Sequence, residues 1–194
     1  VNNPGDWGHL HAQLAHAAWH GWTFTDTIFP FFLFIGGVAM ALSLGRLAAA
    51  GADKPQLLVK LAKRALLIFL IGFLLNLIPR FDFDSVRIPG VLQRIALCTL
   101  LAAPLVVYLG WRGQALAIFV LMALYSVLML VVPVPGIGAG VLEPGQDFGA
   151  WIDRTLMDGH LWVQAKTWDP EGLVSTLPAV CSLLFGALAG RLLR

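Results

Sequence analysis

Four of the five histidines in this 194-residue chain lie close together near its beginning, at His9, His11, His16 and His20. Three roles fit them. Interfacial histidines can solvate a polar loop, which suits the turn-like GDWGHLH. His16 and His20 are four residues apart, so on a helix they share a face and could bind a metal with Asp6 or His9, although the acidic base of the zinc-hydrolase pattern is absent between them. Histidine also titrates near neutrality and can act as general base or nucleophile.

Two further stretches place charged and polar side chains at the start of apolar segments, where such side chains are uncommon. SVRIPGVLQRIA puts Arg87 before a Pro-Gly turn, with Gln93 and Arg94 in the first turns of an apolar segment. A charge there either anchors the helix at the interface or faces a partner or cavity. WDPEGLVSTLP puts Asp169 and Glu171 around a proline at the start of another apolar segment. Helix capping accounts for Asp169 alone, but not for two acids beside an aromatic residue.

The composition places these groups in a membrane protein. Hydrophobic residues make up 58% of the chain and charged residues 12%, and the mean hydropathy is +0.79, outside the usual range of a soluble domain. The net charge of +2 is small and scattered, which argues against a nucleic-acid partner. The chain begins without methionine or a signal peptide and stops where an apolar run meets a basic flank, so both ends are expected to be cuts through a longer polytopic protein.

Five stretches approach the roughly 20 apolar residues that a membrane-spanning helix needs. They cover about residues 22–44, 61–78, 91–109, 114–132 and 173–193. We therefore expect an all-α polytopic bundle forming part of one transmembrane domain over 1–194. Its predicted parts are a loop over 1–21, four transmembrane helices over 22–132, a second loop over 133–172 and a fifth helix over 173–194. Within the second loop, DFGAWIDRTLM has the apolar spacing of a short amphipathic helix at the membrane surface.

The basic residues predict the orientation of these spans. Those that fall on one side are Arg46, Lys54, Lys60, Lys63, Arg64, Arg112, Arg191 and Arg194. The positive-inside rule makes that side cytoplasmic. The histidine-rich segment and the loop over 133–172 are then extracytoplasmic, which places the candidate chemistry on the far side of the membrane.

Seven stretches, in this order, resemble the catalytic region of heparan-α-glucosaminide N-acetyltransferase and its bacterial relatives. They are VNNPG, HAAWHGWTFTDTIFPFFLFIGG, LLVKLAKRALL, VRIPGVLQRIA, PVPG, AWIDRTLMDGHLW and WDPEGLVSTLPA. Enzymes of this family move an acetyl group from cytoplasmic acetyl-CoA to an amino sugar across the membrane. The resemblance implies the same reaction here at a bacterial inner membrane, with acetyl-CoA as co-substrate, no metal, and an amino sugar or other glycan as acceptor.

The resemblance also implies the catalytic residues. The family's active-site histidine stands before the tryptophan that precedes the TxxDxxFP segment, and that position is His16. An upstream asparagine of the family corresponds to Asn2, which can orient the imidazole or hold the thioester carbonyl. His20 replaces an asparagine of the lysosomal members and therefore bears on the choice of acceptor.

By the same likeness the two substrates bind at opposite ends of the bundle. Lys60 and Arg64, in the first cytoplasmic connection, match basic residues suited to the phosphates of CoA. The residues expected to bind the sugar are Asp169, Glu171, Arg87, Gln93 and His20. The expected partners are this acceptor and the lipid bilayer, without nucleic acid, and a homodimer is kept as an open expectation.

A non-enzymatic membrane transporter or scaffold with a polar extracytoplasmic vestibule is the competing interpretation. A transport pathway would place ionisable groups near the middle of several spans, with Gly or Pro breaks in paired positions. In this chain the ionisable groups collect at the ends of the spans. That distribution favours an enzyme with a site at the membrane surface.

Overall fold

The computed structural model describes residues 5–49, 51–79 and 81–193, and these residues form a helical fold. Six α-helices occur within them, preceded by the short 3-10 turns Trp7–His9 and Ala12–Leu14. The helices are α1 Phe24–Ala49, α2 Lys54–Leu77, α3 Val91–Tyr108, α4 Trp111–Leu130, α5 Phe148–Met157 and α6 Thr176–Leu192. The all-α expectation is confirmed.

Three of these helices are long and apolar enough to cross a membrane. They are α1, over Phe24–Leu44, together with the whole of α3 and α4. The apolar helix α6 has 17 residues and is shorter than the usual span, and α2 carries Lys60, Lys63 and Arg64 in its first half. Length and composition therefore support three of the five predicted spans, in an integral membrane protein.

Helices α1 and α6 pack with their backbones in contact, because glycines of each helix lie against the backbone of the other. A Cβ added to Gly37 would lie 1.9 Å from the carbonyl oxygen of Leu183, and one added to Gly186 would lie 1.9 Å from that of Phe34. The sequence GALAG of α6 spaces Gly186 and Gly190 four residues apart, which is the small-residue spacing that lets membrane helices approach closely. A Cβ added to Gly190 would lie 2.8 Å from the carbonyl oxygen of Val38. The contacts thus advance from Phe34–Gly186 to Val38–Gly190, so the two helices run side by side in the same direction.

Gly37 and its neighbour Gly36 offer a matched test of this interface. Replacing Gly37 with alanine is expected to destabilise the protein by roughly 1–3 kcal/mol, because the new methyl group forces the helices apart. A Cβ at Gly36 meets no atom within 4 Å, so Gly36→Ala is expected to cause no loss. The measurement is the midpoint of SDS-induced unfolding of the purified full-length protein. Equal midpoints for the two variants would contradict the observed packing.

The helix directions give the bundle two distinct ends. Arg191, in the last turn of α6, donates hydrogen bonds to the carbonyl oxygens of Val106 and Leu109 at 3.2 and 2.8 Å, so α3 and α6 end together. We call this the basic end, where Lys54 and Arg112 also lie. At the opposite end α1, α3 and α6 begin and meet the segments over 5–23, 81–90 and 131–175. We call it the polar end.

Candidate functional site

His16 and Asp26 form a hydrogen-bonded pair at the polar end. His16 Nδ1 lies 2.7 Å from Asp26 Oδ1. Asp26 stands in the first turn of α1, while His16 lies in the irregular segment that precedes this helix. The two residues are ten positions apart, and the pair forms because the segment folds back over the start of α1.

Hydrogen bonds between Thr23 and Asp26 hold this arrangement in place. The Thr23 amide donates to Asp26 Oδ2 at 2.9 Å, and the Asp26 amide donates to the Thr23 carbonyl oxygen at 3.1 Å. The Thr23 hydroxyl lies 2.9 Å from Asp26 Oδ2 and 2.7 Å from the carbonyl oxygen of Ala15, and the Ala17 amide donates to Asp26 Oδ2 at 3.3 Å. These bonds occupy Asp26 Oδ2 and anchor the backbone on both sides of His16, which leaves Oδ1 for the imidazole.

The pairing decides which imidazole nitrogen can react. An ionised carboxylate only accepts hydrogen bonds, so His16 presents Nδ1–H to Asp26 and keeps a lone pair on Nε2. The side chain of His16 is 61% exposed and that of Asp26 is 26% exposed, so Nε2 is accessible. This geometry suits a general base or an acyl acceptor. The sequence alone did not pair Asp26 with His16, although the spacing of Thr23 and Asp26 is a capping signal that places Asp26 at the helix start.

The neighbouring histidines have local contacts instead. His9 Nδ1 lies 2.5 Å from Asp6 Oδ2, and His11 accepts the Gln13 amide at 3.2 Å. His20 is exposed. Over the described ranges no group of three or more His, Cys, Asp or Glu side chains is arranged to hold a metal ion.

A second cluster joins Arg87, Asp169 and Glu171, and we call it the ion-pair cluster. Arg87 Nε donates to Asp169 Oδ2 at 2.9 Å and its Nη2 to Oδ1 at 2.6 Å, while Nη2 also binds Glu171. The Asp169 side chain is fully buried. Burial disfavours the charged guanidinium, but the hydrogen bonds and negative charges of Asp169 and Glu171 outweigh this effect and raise the pKa of Arg87. Both acids flanking Pro170 are therefore engaged with one arginine.

The backbone that carries Arg87 is fixed from two sides. The Asn76 side chain, at the end of α2, donates to the carbonyl oxygens of Arg87 and Pro89 at 2.9 and 3.2 Å. The Ile88 amide donates to the carbonyl oxygen of His160 at 2.9 Å. Residues 86–90 are thus held between α2 and the loop that follows α5.

Gln93 and Arg94 are buried just behind this cluster. A Cβ on Gly72 or Gly90 would lie 2.6 Å from Gln93 Oε1, so Gln93 fills the contact between α2 and α3. Arg94 Nη2 donates to the carbonyl oxygen of Gly172 at 3.0 Å and also binds the Ser175 hydroxyl. Arg94 therefore ties the start of α3 to the turn before α6.

Tryptophans connect the histidine segment to the loop before α6. The Trp19 indole N–H donates to the carbonyl oxygen of Leu142 at 2.6 Å, and its ring meets that of Trp168 edge to face at a centroid distance of 4.9 Å. The two rings line a cavity of about 230 Å³. We call it the tryptophan cavity; its wall includes Trp19, Tyr125, Asp147, Asp153, Trp168 and Asp169.

A larger cavity, of about 1110 Å³, opens at the basic end. Its wall is mainly apolar, with Lys54 and Arg191 as the basic residues among those that line it. Lys60 and Arg64 lie on exposed positions of α2 and are not part of this wall. Asn2, the other predicted catalytic residue, lies outside the described residues.

Comparisons with known proteins identify the family of this chain. The family model "Heparan-alpha-glucosaminide N-acetyltransferase, catalytic" matches residues 6–145. The heparan-alpha-glucosaminide N-acetyltransferases of Homo sapiens and Mus musculus are 32% and 30% identical to this chain over 226 aligned residues, covering 92% of it and 34% of each relative. The chain thus spans about a third of the length of these curated relatives. Since the family match covers most of the chain, the protein belongs to the heparan-alpha-glucosaminide N-acetyltransferase family.

Proposed function

We propose that the full-length protein is a membrane acetyltransferase that moves an acetyl group from acetyl-CoA to the amine of a sugar or other glycan. Family membership supports the reaction class. The observation that carries the proposal is the His16–Asp26 pair, whose 2.7 Å hydrogen bond orients an exposed imidazole. An oriented, accessible imidazole can serve as the general base or the acyl carrier in acyl transfer to an amine.

The two ends of the bundle then face opposite sides of the membrane. The basic end is cytoplasmic by the positive-inside rule and receives acetyl-CoA, while the polar end receives the acceptor. In this arrangement α2 and α6 cross the membrane together with α1, α3 and α4, and the polar end faces the periplasm of a bacterium. The thioester reaches His16 through the bundle.

Two chemical routes use the same pair of residues. In the first, His16 Nε2 attacks the thioester carbonyl and expels the CoA thiolate, which leaves an N-acylimidazolium with its Nδ1–H on Asp26. The amine then takes the acetyl group from the imidazole, and the proton that the amine loses balances the thiolate, so that CoA is released as the thiol. In the second, the amine attacks the thioester carbonyl directly while Nε2 takes a proton from the amine. The C–S bond then breaks, and the imidazolium returns this proton to the CoA thiolate as it leaves. In both, Asp26 stabilises the positive charge that develops on the imidazole. Asn2 is proposed to hold the thioester carbonyl oxygen.

The acceptor vestibule is formed by residues of the polar end. Arg87 and Glu171 keep part of their side chains exposed and are proposed to meet sugar hydroxyls. Asp169 holds Arg87 from a buried position. Gln93 is buried behind them at the start of α3, and His20 lies in the exposed segment beside His16.

The test of the function is acetyl transfer by the purified full-length protein with acetyl-CoA and glucosamine. The expected result is N-acetylglucosamine formed together with an equal amount of free CoA. Folded protein in lipid that releases no CoA in the presence of glucosamine would refute the assignment.

Acid quenching separates the two routes. Protein incubated with radiolabelled acetyl-CoA but without acceptor is quenched and its bound label counted. Label that the wild type retains and His16→Ala lacks indicates the acyl-imidazole. If the wild type retains none while turnover with glucosamine is normal, transfer is direct.

The donor site is tested by three lysine variants and one arginine variant. Because Lys54 lines the cavity at the basic end, Lys54→Ala is expected to raise the KM for acetyl-CoA about tenfold, as loss of a charge-assisted phosphate contact would. Lys60→Ala and Arg64→Ala test the assignment drawn from the family likeness. Lys63→Ala, on the same exposed helix, is the control. If the KM for acetyl-CoA increases in Lys60→Ala or Arg64→Ala but not in Lys54→Ala, the phosphates bind on the outer face of α2 and not in the cavity.

A further inference from the structure

Three carboxylates line the tryptophan cavity, and two of them are already engaged. Asp147 caps α5 by accepting the Ala150 amide at 3.0 Å. Asp169 is bound through both oxygens by Arg87. Asp153, in the middle of α5, is the remaining carboxylate.

Asp153 is buried without a direct cationic partner. It is 2% exposed, and its Oδ1 accepts the Leu173 amide at 2.9 Å. Its Oδ2 accepts no hydrogen bond from the residues that the structure describes. A Cβ at Gly172 would lie 2.0 Å from this oxygen, so the glycine makes room for the carboxylate. Burial raises the pKa of Asp153 to about 6, as expected for an acid held away from water without an ion pair.

The rest of the wall is aromatic. The rings of Trp19 and Trp168 stand at 75° to each other and form a corner, and Tyr125 and Met129 add to it. The face of an aromatic ring attracts cations in addition to packing against apolar groups. The attraction for a cation is stronger where water is excluded. A corner of this kind beside a free carboxylate oxygen suits an organic ammonium group.

We propose that the tryptophan cavity binds the amino-sugar acceptor as a single hexosamine ring, with its ammonium group on Asp153 Oδ2 and an apolar ring face against Trp19 and Trp168. This assignment rests on the proposed function and names its acceptor site. The ion-pair cluster then forms the rim of the site, and Asp153 recognises the amino group.

Size and position agree with this ligand. The cavity of about 230 Å³ equals the volume of seven or eight water molecules at ~30 Å³ each, which accommodates one sugar ring. A metal ion would need several ligands, and Asp153 belongs to no such group in the described part of the chain. Trp19 follows His16 by three residues, and the intervening segment is anchored to Asp26, so the cavity adjoins the segment that carries the reactive imidazole.

Binding without a donor tests the site. Full-length protein in nanodiscs is titrated with glucosamine and with glucose, and tryptophan fluorescence is recorded. The wild type is expected to bind glucosamine more tightly than glucose. In Asp153→Asn the affinity for glucosamine is expected to fall by roughly 10–100-fold, while the affinity for glucose is unchanged. Asp158→Asn, which removes a charge at the exposed end of the same helix, is the control. An unchanged preference in Asp153→Asn would overturn the proposal.

The wild type gives a second readout that does not depend on a folded variant. The ratio of glucosamine to glucose affinity is expected to rise from pH 5 to pH 7, because Asp153 ionises in this interval. Other titratable or charged groups on the surrounding elements are Arg94, Tyr125, Asp147, Asp169, Glu171, His16 and His20. A group whose titration changes the affinities for both sugars equally does not change the ratio of these affinities. A ratio independent of pH would count against Asp153.

The outcomes also separate the site from the function. A protein that binds glucosamine through Asp153 but transfers no acetyl group contradicts the proposed function alone. A protein that transfers acetyl groups, with an unchanged KM for glucosamine in Asp153→Asn, contradicts the site alone.

Discussion

Replacing Asp26 with asparagine is expected to lower kcat for acetyl transfer by about 10²–10⁴-fold, the range seen when a general base loses its orienting partner. Asparagine keeps the shape of the side chain and can still accept the Thr23 amide, which lies 2.9 Å from Asp26 Oδ2. It presents an N–H to His16 Nδ1 in place of a carboxylate oxygen. The imidazole then carries its proton on Nε2, where the lone pair is needed.

His16→Ala should reduce kcat at least as far, and the double variant should be no worse than His16→Ala alone. Residues that act as a unit are non-additive in this way. His9→Ala removes another histidine of the same segment and is the control. Melting temperatures show whether the fold is intact. Independent, multiplicative losses from His16→Ala and Asp26→Asn would contradict their action as a pair.

Replacing Arg87 with alanine is expected to destabilise the protein by about 3–5 kcal/mol, the cost of leaving a buried charge without its partner. The Asp169 side chain is fully buried, and that of Glu171 is largely so. Without the guanidinium these two carboxylates repel each other in a poorly solvated site. The midpoint of SDS-induced unfolding measures the loss.

The double variant Arg87→Ala, Asp169→Asn tests the cause of this instability. Removing one orphaned negative charge should recover part of the loss, as a coupled pair does in a double-mutant cycle. Arg112→Ala, which removes an exposed arginine that lies over the ring of Trp111, should change the midpoint little. An Arg87→Ala protein as stable as the wild type would show that the ion-pair cluster contributes nothing to folding.

Hydropathy located the helices with uneven accuracy. The third span was predicted over 91–109 and is observed as Val91–Tyr108. The second was predicted to begin near residue 61, whereas α2 begins at Lys54. The first turns of α2 contain the polar residues Lys54, Gln56 and Lys60. A prediction based on apolar runs leaves such residues outside the span. Propensity and the proline at Pro55, near the helix start, extend the helix beyond its apolar part.

The candidate site was only partly within reach of the sequence. His16 could be selected through the family likeness, but its partner Asp26 depends on how the segment before α1 folds back. The pairing of Arg87 with Asp169 joins residues 82 positions apart, a separation that spacing rules do not address. The roles of Asn2, Lys60 and Arg64 stay predictions.

By itself, the sequence determined that the chain is helical, lies in a membrane and belongs to an acetyltransferase family, because apolar runs and local motifs are properties of neighbouring residues. The tertiary structure alone decided which polar groups neutralise one another. Asp153 and Asp169 are both acids of the polar end that line the tryptophan cavity. Asp169 is bound by Arg87, whereas Asp153 keeps one carboxylate oxygen free in the cavity. Electrostatic pairing depends on distances of a few ångströms between segments far apart in the chain, and only the packed bundle sets those distances.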